Sequence, residues 1–237
     1  MLYLGGKGRL GKPLTEAILS MTDKRETYVE PFIGGGNLFR HIAPHFRTVH
    51  AGDNHEDLML MWNAVANGWI PPDTVSEAEY RAQRHASSSA LRGLVGFGCS
   101  FGGKWWGGYA RSKCNGNDYY ARHAARSVSD IGRLMPPNVK GSMKRCSFEA
   151  WTPVITADCV IYADPPYAKT TGYKGGFDHD EFWRTMTHWT DTGATVFVSE
   201  YVAPSGWEAV WRKEQRRKVS GGTGVMTHES LFARKAA

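Results

Sequence analysis

Residues 158–167, DCVIYADPPY, form a near-continuous apolar run that ends on Asp164, a double-proline turn and Tyr167. A strand apolar at odd and even positions alike is buried on both faces, as in a parallel sheet covered by helices. The flanks repeat the theme. Downstream, the spacing predicts a helix from Asp178 to about Thr190 and a second apolar strand, ATVFVSEY, over 194–201. Upstream, 24–33 (KRETYVEPFI) reads as a strand entering a Pro/Gly turn, and 37–46 (NLFRHIAPHF) as a helix opened by Asn37. Residues 48–53 (TVHAGD) read as a strand ending on Asp53. A helix over 55–68 follows, periodic through Leu58, Met61, Trp62 and Val65 and stopped by Gly68. Two β-like stretches near 214–219 and 229–234 close the chain. Repeated strand-helix order predicts an α/β fold with a mostly parallel sheet. Ligands of such sheets sit beyond the C-terminal strand ends, where the motifs below fall.

The alternation is interrupted in the middle. Past Pro71-Pro72 come a helix over 76–86, a Gly/Trp-rich loop over 96–117, and a helix over 119–135 stopped by Pro136-Pro137. Residues 70–140 therefore read as a separate, largely helical lobe inserted between 1–69 and 141–237. Charge singles out the same region. The chain of 237 residues carries a net +6. Residues 81–145 hold 12 Lys/Arg against 2 Asp/Glu, whereas 1–80 net −3 and 146–237 net −1. A basic block between slightly acidic ones is the footprint expected for a polyanion partner. With 41% apolar and 22% charged residues the composition is globular. No apolar run approaches the ~18 residues of a membrane span, so a soluble, cytoplasmic protein is expected. Cys99, Cys114, Cys146 and Cys159 form no C-x-x-C pair, and the nine histidines no H-x-x-H. Neither disulfides nor a metal site is expected. A G-x-S-x-G hydrolase turn is also absent.

Three motifs carry chemistry. Tyr3, Gly5, Gly6 and Lys7 place a lysine beside a glycine turn; the spacing Gly6 to Lys12 mimics a phosphate loop, but Pro13 stands where a metal-binding hydroxyl belongs. Glu30-Pro31-Phe32-Ile33-Gly34-Gly35-Gly36-Asn37 follows a strand and opens a helix, with Asp53 about twenty residues on. Such a turn lets a cofactor approach the backbone while the carboxylate accepts ribose hydroxyls. The third glycine of a dinucleotide fingerprint is replaced by Phe39, which weakens a nicotinamide reading. The third motif is Asp164-Pro165-Pro166-Tyr167. An exocyclic amine on a heteroaromatic ring is a poor nucleophile because its lone pair is delocalised. The Asp164 carboxylate and the Pro165 carbonyl can each accept one of its N–H groups and direct the lone pair outward. Tyr167 offers a ring on which an extruded base can stack.

Together these motifs, in this order and spacing, resemble the Dam-type (D12 class) DNA adenine-N6 methyltransferases. The resemblance implies a class I methyltransferase (Rossmann-like) fold, S-adenosylmethionine as cofactor, and methyl transfer to adenine in double-stranded DNA by base flipping, with neither metal nor obligatory protein partner. It implies catalytic roles for Asp164, Pro165, Pro166 and Tyr167. Cofactor contacts are implied for Tyr3, Gly5, Gly6, Lys7, Glu30, Pro31, Phe32, Gly34, Gly36, Asp53 and Asp164, and for Phe148, although Ser147 replaces the acidic residue often found just before it. The basic middle segment falls where the family places target recognition. Arg92, Lys104, Arg111, Lys113, Arg122 and Arg126 are then candidates for phosphate or base contacts, with Trp105, Trp106 and Tyr109 among them. The stretch 96–117 departs from the pattern of GATC-recognising members. N4-cytosine and RNA adenine methyl transfer pose the same amine problem, and Asp in place of Ser at 164 favours adenine. A scaffold kept for DNA binding without catalysis is the other alternative; intact Lys7, Asp53, Asp164 and Tyr167 argue against it.

Overall fold

The computed structural model describes residues 1–112, 116, 118–134, 143–167, 176–217 and 225–234. Lys113, Cys114, the Pro136-Pro137 stop and residues 218–219 lie outside the described residues.

The apolar run at 158–164 becomes β4 (Cys159–Ala163), every residue of it buried. It lies in a seven-stranded sheet with β1 (Thr27–Glu30), β2 (Thr48–Asp53), β3 (Met143–Arg145), β5 (Thr195–Glu200), β6 (Glu208–Arg217) and β7 (Val225–Ala233). The order is β3-β2-β1-β4-β5-β7-β6. The first five strands pair in parallel, and β7 runs antiparallel to both β5 and β6. This is a Rossmann-like α/β architecture, a mostly parallel sheet with an antiparallel pair at one edge. Because side chains alternate across a strand, each buried strand feeds two cores. Tyr28, Val160, Tyr162 and Phe197 enter one, with Leu14 and Ile18 of α1 (Gly11–Ser20), Phe39 of α2 (Phe39–Ile42) and Trp62 of α3 (Glu56–Ala66). Val29, Ile161, Ala163, Val196 and Val198 enter the other, against Trp151 and against Phe182, Met186 and Trp189 of α7 (His179–Asp191). Asp178 caps α7, accepting from the Glu181 amide at 2.9 Å.

Several elements differ from the sequence expectation. Helix α1 was hidden under glycine-rich sequence; its stripe Leu10, Leu14 and Ile18 is buried, and Pro13 sits in the first turn where no backbone donor is needed. The helix expected over 37–46 is only Phe39–Ile42, followed by a 3₁₀ turn, Ala43–His45, that contains Pro44. Strand β6 begins at Glu208 rather than 214, and β7 at Val225 rather than 229. The short edge strand β3 and the 3₁₀ turn Phe148–Val154 were not anticipated.

The middle segment folds as α4 (Glu77–Arg84), α5 (Ala90–Gly93), the wide turn Leu94–Gly98, a 3₁₀ turn Phe101–Gly103 and α6 (Tyr119–Leu134). Val75, Tyr80, Val95, Cys99 and Ala121 make a small core of their own. Leu94, Phe97, Ala124, Val128 and Ile131 instead join the first core of the sheet. At Gly93 a Cβ would lie 2.2 Å from the Asp57 carbonyl oxygen, so α5 presses directly on α3. No helix among the described residues is long and apolar enough to cross a membrane.

Candidate active site

Neighbouring strands β1 and β4 lead in opposite directions, one toward β2 and the other toward β5, so a crevice opens beyond Glu30 and Ala163. Into it the chain brings Lys7, Asp53, Asp164, Tyr167 and Glu229. The centre is Lys7, whose side chain is 7% exposed. A buried ammonium needs anionic or hydrogen-bonding company. Its Nζ donates to Asp164 Oδ1 at 2.8 Å, to the Tyr167 hydroxyl oxygen at 2.7 Å and to the Gly5 carbonyl at 3.3 Å, and lies 3.3 Å from Glu229 Oε1. Tyr167 donates in turn to Glu229 Oε1 at 2.5 Å. Burial pulls the Lys7 ammonium down, but Asp164 and Glu229 outweigh it and leave it raised. Burial raises Asp164, Lys7 opposes and Glu229 adds to the rise, so its carboxyl is pushed up to about 6.

The residues that the sequence marks as candidates for cofactor contact converge on the same crevice. Asp53 accepts from the Gly34 amide at 3.2 Å through Oδ2 and from the His55 amide at 3.0 Å through Oδ1. Burial nevertheless pushes its carboxyl to about 6. Gly34 and Gly36 take positive φ, +48° and +65°. The N-terminal segment lies on this turn: a Cβ at Gly35 would stand 2.8 Å from Tyr3 Cβ and 2.9 Å from Asn37 Nδ2, and one at Gly6 2.7 Å from the same nitrogen. Phe148 is buried and stacks on Phe32 at 5.6 Å, with Phe177 completing the group. Pro31 and Pro165 are buried, and Pro166 is half-buried. Glu30 faces inward: it is 2% exposed and accepts the Tyr28 hydroxyl at 2.6 Å, and burial holds its carboxyl well above the usual range.

In the basic segment, Lys104, Arg111, Arg122 and Arg126 are exposed. Arg111 pairs with Glu77. Arg122 and Arg126 line a cleft of about 540 Å³ together with Ile70, Pro71, Pro72 and Asp73. Three residues depart from the expectation of a freely displayed set. Arg92 turns inward to Asp57 at 2.5 Å, and its guanidinium lies over Trp105 and Trp106. Trp105 is partly buried against Phe97 and His55, at 4.6 and 4.3 Å. Trp106 packs on Tyr80 at 5.0 Å. Two more residues near the crevice carry little or no signal in the sequence. Phe101 is 73% exposed beside the lip of the N-terminal segment, where the Leu4 amide donates to the Gly103 carbonyl at 3.1 Å. Its signal was the following Gly102-Gly103 pair, which has no side chain to cover the ring. Glu229 had no local signal, since antiparallel pairing carries it to the crevice.

The family model for D12 class N6 adenine-specific DNA methyltransferases matches residues 3–90, a stretch containing Lys7, the glycine turn and Asp53 but not Asp164. No curated protein sequence matches the chain. Among solved structures, an rRNA methylase from Streptococcus thermophilus is similar at 9% identity, 94% coverage of each chain and a TM-score of 0.44. A putative RNA methyltransferase from Pyrococcus horikoshii is similar at 9% identity, 98% coverage of this chain and 87% of that one, and a TM-score of 0.44. A precorrin decarboxylase from Methanobacterium thermoautotrophicum is similar at 12% identity, 94% and 90% coverage and a TM-score of 0.39. At such values none of these bears on substrate.

Proposed function

We propose that the chain is a Dam-type DNA methyltransferase that carries a methyl group from S-adenosylmethionine to adenine N6 in duplex DNA. The observation that carries this reading is the placement of Asp164-Pro165-Pro166-Tyr167 at the sheet's switch point, with Lys7 Nζ 2.8 Å from Asp164. The residues fit an adenosyl amino acid. Asp53 is an acidic acceptor at the end of β2, the turn at 34–36 lacks side chains where backbone must approach a ligand, and Phe32 and Phe148 offer an aromatic surface. When bound, the cofactor supplies a methyl group activated on a sulfonium. Asp164 and the Pro165 carbonyl accept the two N–H groups of the target amine, and Asp164 is the acceptor for the proton which that amine sheds on transfer. Tyr167 provides the stacking ring for the extruded base.

Residues 70–140 are assigned to target recognition, and 1–69 with 141–237 to the catalytic domain. Lys104, Arg111, Arg122 and Arg126 supply cation contacts, and Phe101, more exposed than the partly buried Trp105 and Trp106, is the ring placed to enter the gap left by a flipped base. The test incubates the protein with methyl-labelled S-adenosylmethionine and duplex DNA, then separates the digested nucleosides. Label is expected at adenine N6 and is lost in Asp164→Ala. Label at cytosine N4, or in RNA alone, would refute the assignment.

A further inference from the structure

We infer that Glu229 is a positioning residue of the proposed transfer reaction: it holds the Tyr167 hydroxyl and shares the Lys7 ammonium with Asp164, so one side chain aligns the stacking ring and the amine acceptor. The inference rests on the methyltransferase reading above.

Strand β7 runs back along β5 with Ser230 opposite Glu200, so Glu229 stands at the edge where the parallel strands end. Its side chain is 3% exposed. A carboxylate removed from water is retained only with strong partners, and both partners of Glu229 belong to the reaction cluster. The Tyr167 hydroxyl donates to Oε1 at 2.5 Å while its oxygen receives Lys7 Nζ at 2.7 Å. The phenol is thus pinned between an anion and a cation, with its ring edge-on to Tyr201 at 4.7 Å. Lys7 meanwhile faces two carboxylates, Asp164 at 2.8 Å and Glu229 at 3.3 Å. Among the described residues, the other titratable groups facing Asp164 are Glu30 of β1, bonded to Tyr28, and Tyr162 of β4, which shares a 2.9 Å hydrogen bond with Ser199. Glu229 therefore acts in two ways. It fixes the tyrosine by a hydrogen bond, and as a like charge near Asp164 it raises the pH at which that carboxylate ionises.

The experiment compares wild type, Glu229→Gln and Glu229→Asp for S-adenosylmethionine binding by calorimetry, thermal melting, and kcat and KM on duplex DNA across pH. Glutamine keeps an acceptor oxygen for Tyr167 and removes the charge. For Glu229→Gln the expected result is kcat lower by up to about 100-fold, because Lys7 is no longer held between two charges and Asp164 loses its alignment, cofactor affinity within about threefold, and an acid limb of kcat/KM moved to lower pH. Glu229→Asp keeps the charge and should leave that limb in place. A lower kcat with the limb unmoved in Glu229→Gln would mean a merely structural role and overturn the inference, as would a folded variant with wild-type kcat and limb. A wild type that binds no cofactor and transfers no methyl group overturns the parent reading and this inference with it; an active wild type with an indifferent Glu229→Gln overturns only the latter.

Discussion

Replacing Arg92 by methionine separates a structural cation from a recognising one. Asp57 is 3% exposed and its two oxygens are each used, one by the Ser89 amide at 2.9 Å and the other by Arg92 at 2.5 Å. The guanidinium also donates to the Gln83 carbonyl at 3.2 Å and lies 5.3 Å from the Trp105 ring. Removing one partner of a buried pair leaves an uncompensated charge at a cost of about 3–5 kcal/mol. Because the Arg92 side chain keeps 19% exposure, water can partly replace it, and the low end, about 3 kcal/mol, is expected. In a domain of this size about 1 kcal/mol moves Tm by roughly 2–4 °C, so melting should fall by about 6–12 °C. Adding Asp57→Asn should recover part of the loss, since the stranded charge is then gone. Melts without nucleic acid, paired with duplex titrations over a salt series, provide the assay. If Arg92→Met melts within about 2 °C of wild type while its salt slope flattens, the guanidinium contacts phosphate and the structural reasoning is refuted.

Lys104→Ala and Arg126→Ala should each lower the slope of log affinity against log salt by about 0.9 per lost phosphate contact without changing Tm; an unchanged slope in both removes these exposed cations from the interface. Phe101→Ala should cost no more than about 0.5 kcal/mol of stability yet slow methylation of duplex relative to single-stranded DNA, and equal rates on both would exclude a wedge role. Asp53→Ala should weaken S-adenosylmethionine by about 1–3 kcal/mol in calorimetry if a charge-assisted hydrogen bond is lost. Asp164, pushed up to about 6 from an ordinary 3.8, binds its proton more tightly folded than unfolded. Its contribution to stability is therefore full below pH 3.8 and is lost as pH rises through about 6, whereas methyl transfer, which in the proposed reaction uses the ionised form, should rise over that same range. A rate independent of pH between 5 and 7 would contradict this, whatever the melting curve shows.

Where the physics is local, the chain announced its structure. The strand DCVIYA has to be buried on both faces because apolar residues occupy both of them, and the turn after it is set by Pro165 and Pro166, so Asp164 could be placed at a strand end from order along the chain alone. The glycine turn at 34–36 and Asp53 were legible for the same reason, since backbone freedom and strand termination are properties of neighbouring residues. Charge summed along the sequence marked the basic segment, but it could not say which cations face water. Arg92 is turned inward by Asp57, 35 residues away, and the two tryptophans beside it are claimed by Phe97, His55 and Tyr80. Helix α1 and Glu229 were invisible because their roles depend on partners far along the chain: Leu14 and Ile18 acquire a core only when the sheet forms, and Glu229 reaches Tyr167, 62 residues away, only when β7 turns back along β5. A side chain's exposure and its ion partner are decided by which distant segments pack against it, and that information resides in the tertiary contacts rather than in any window of sequence.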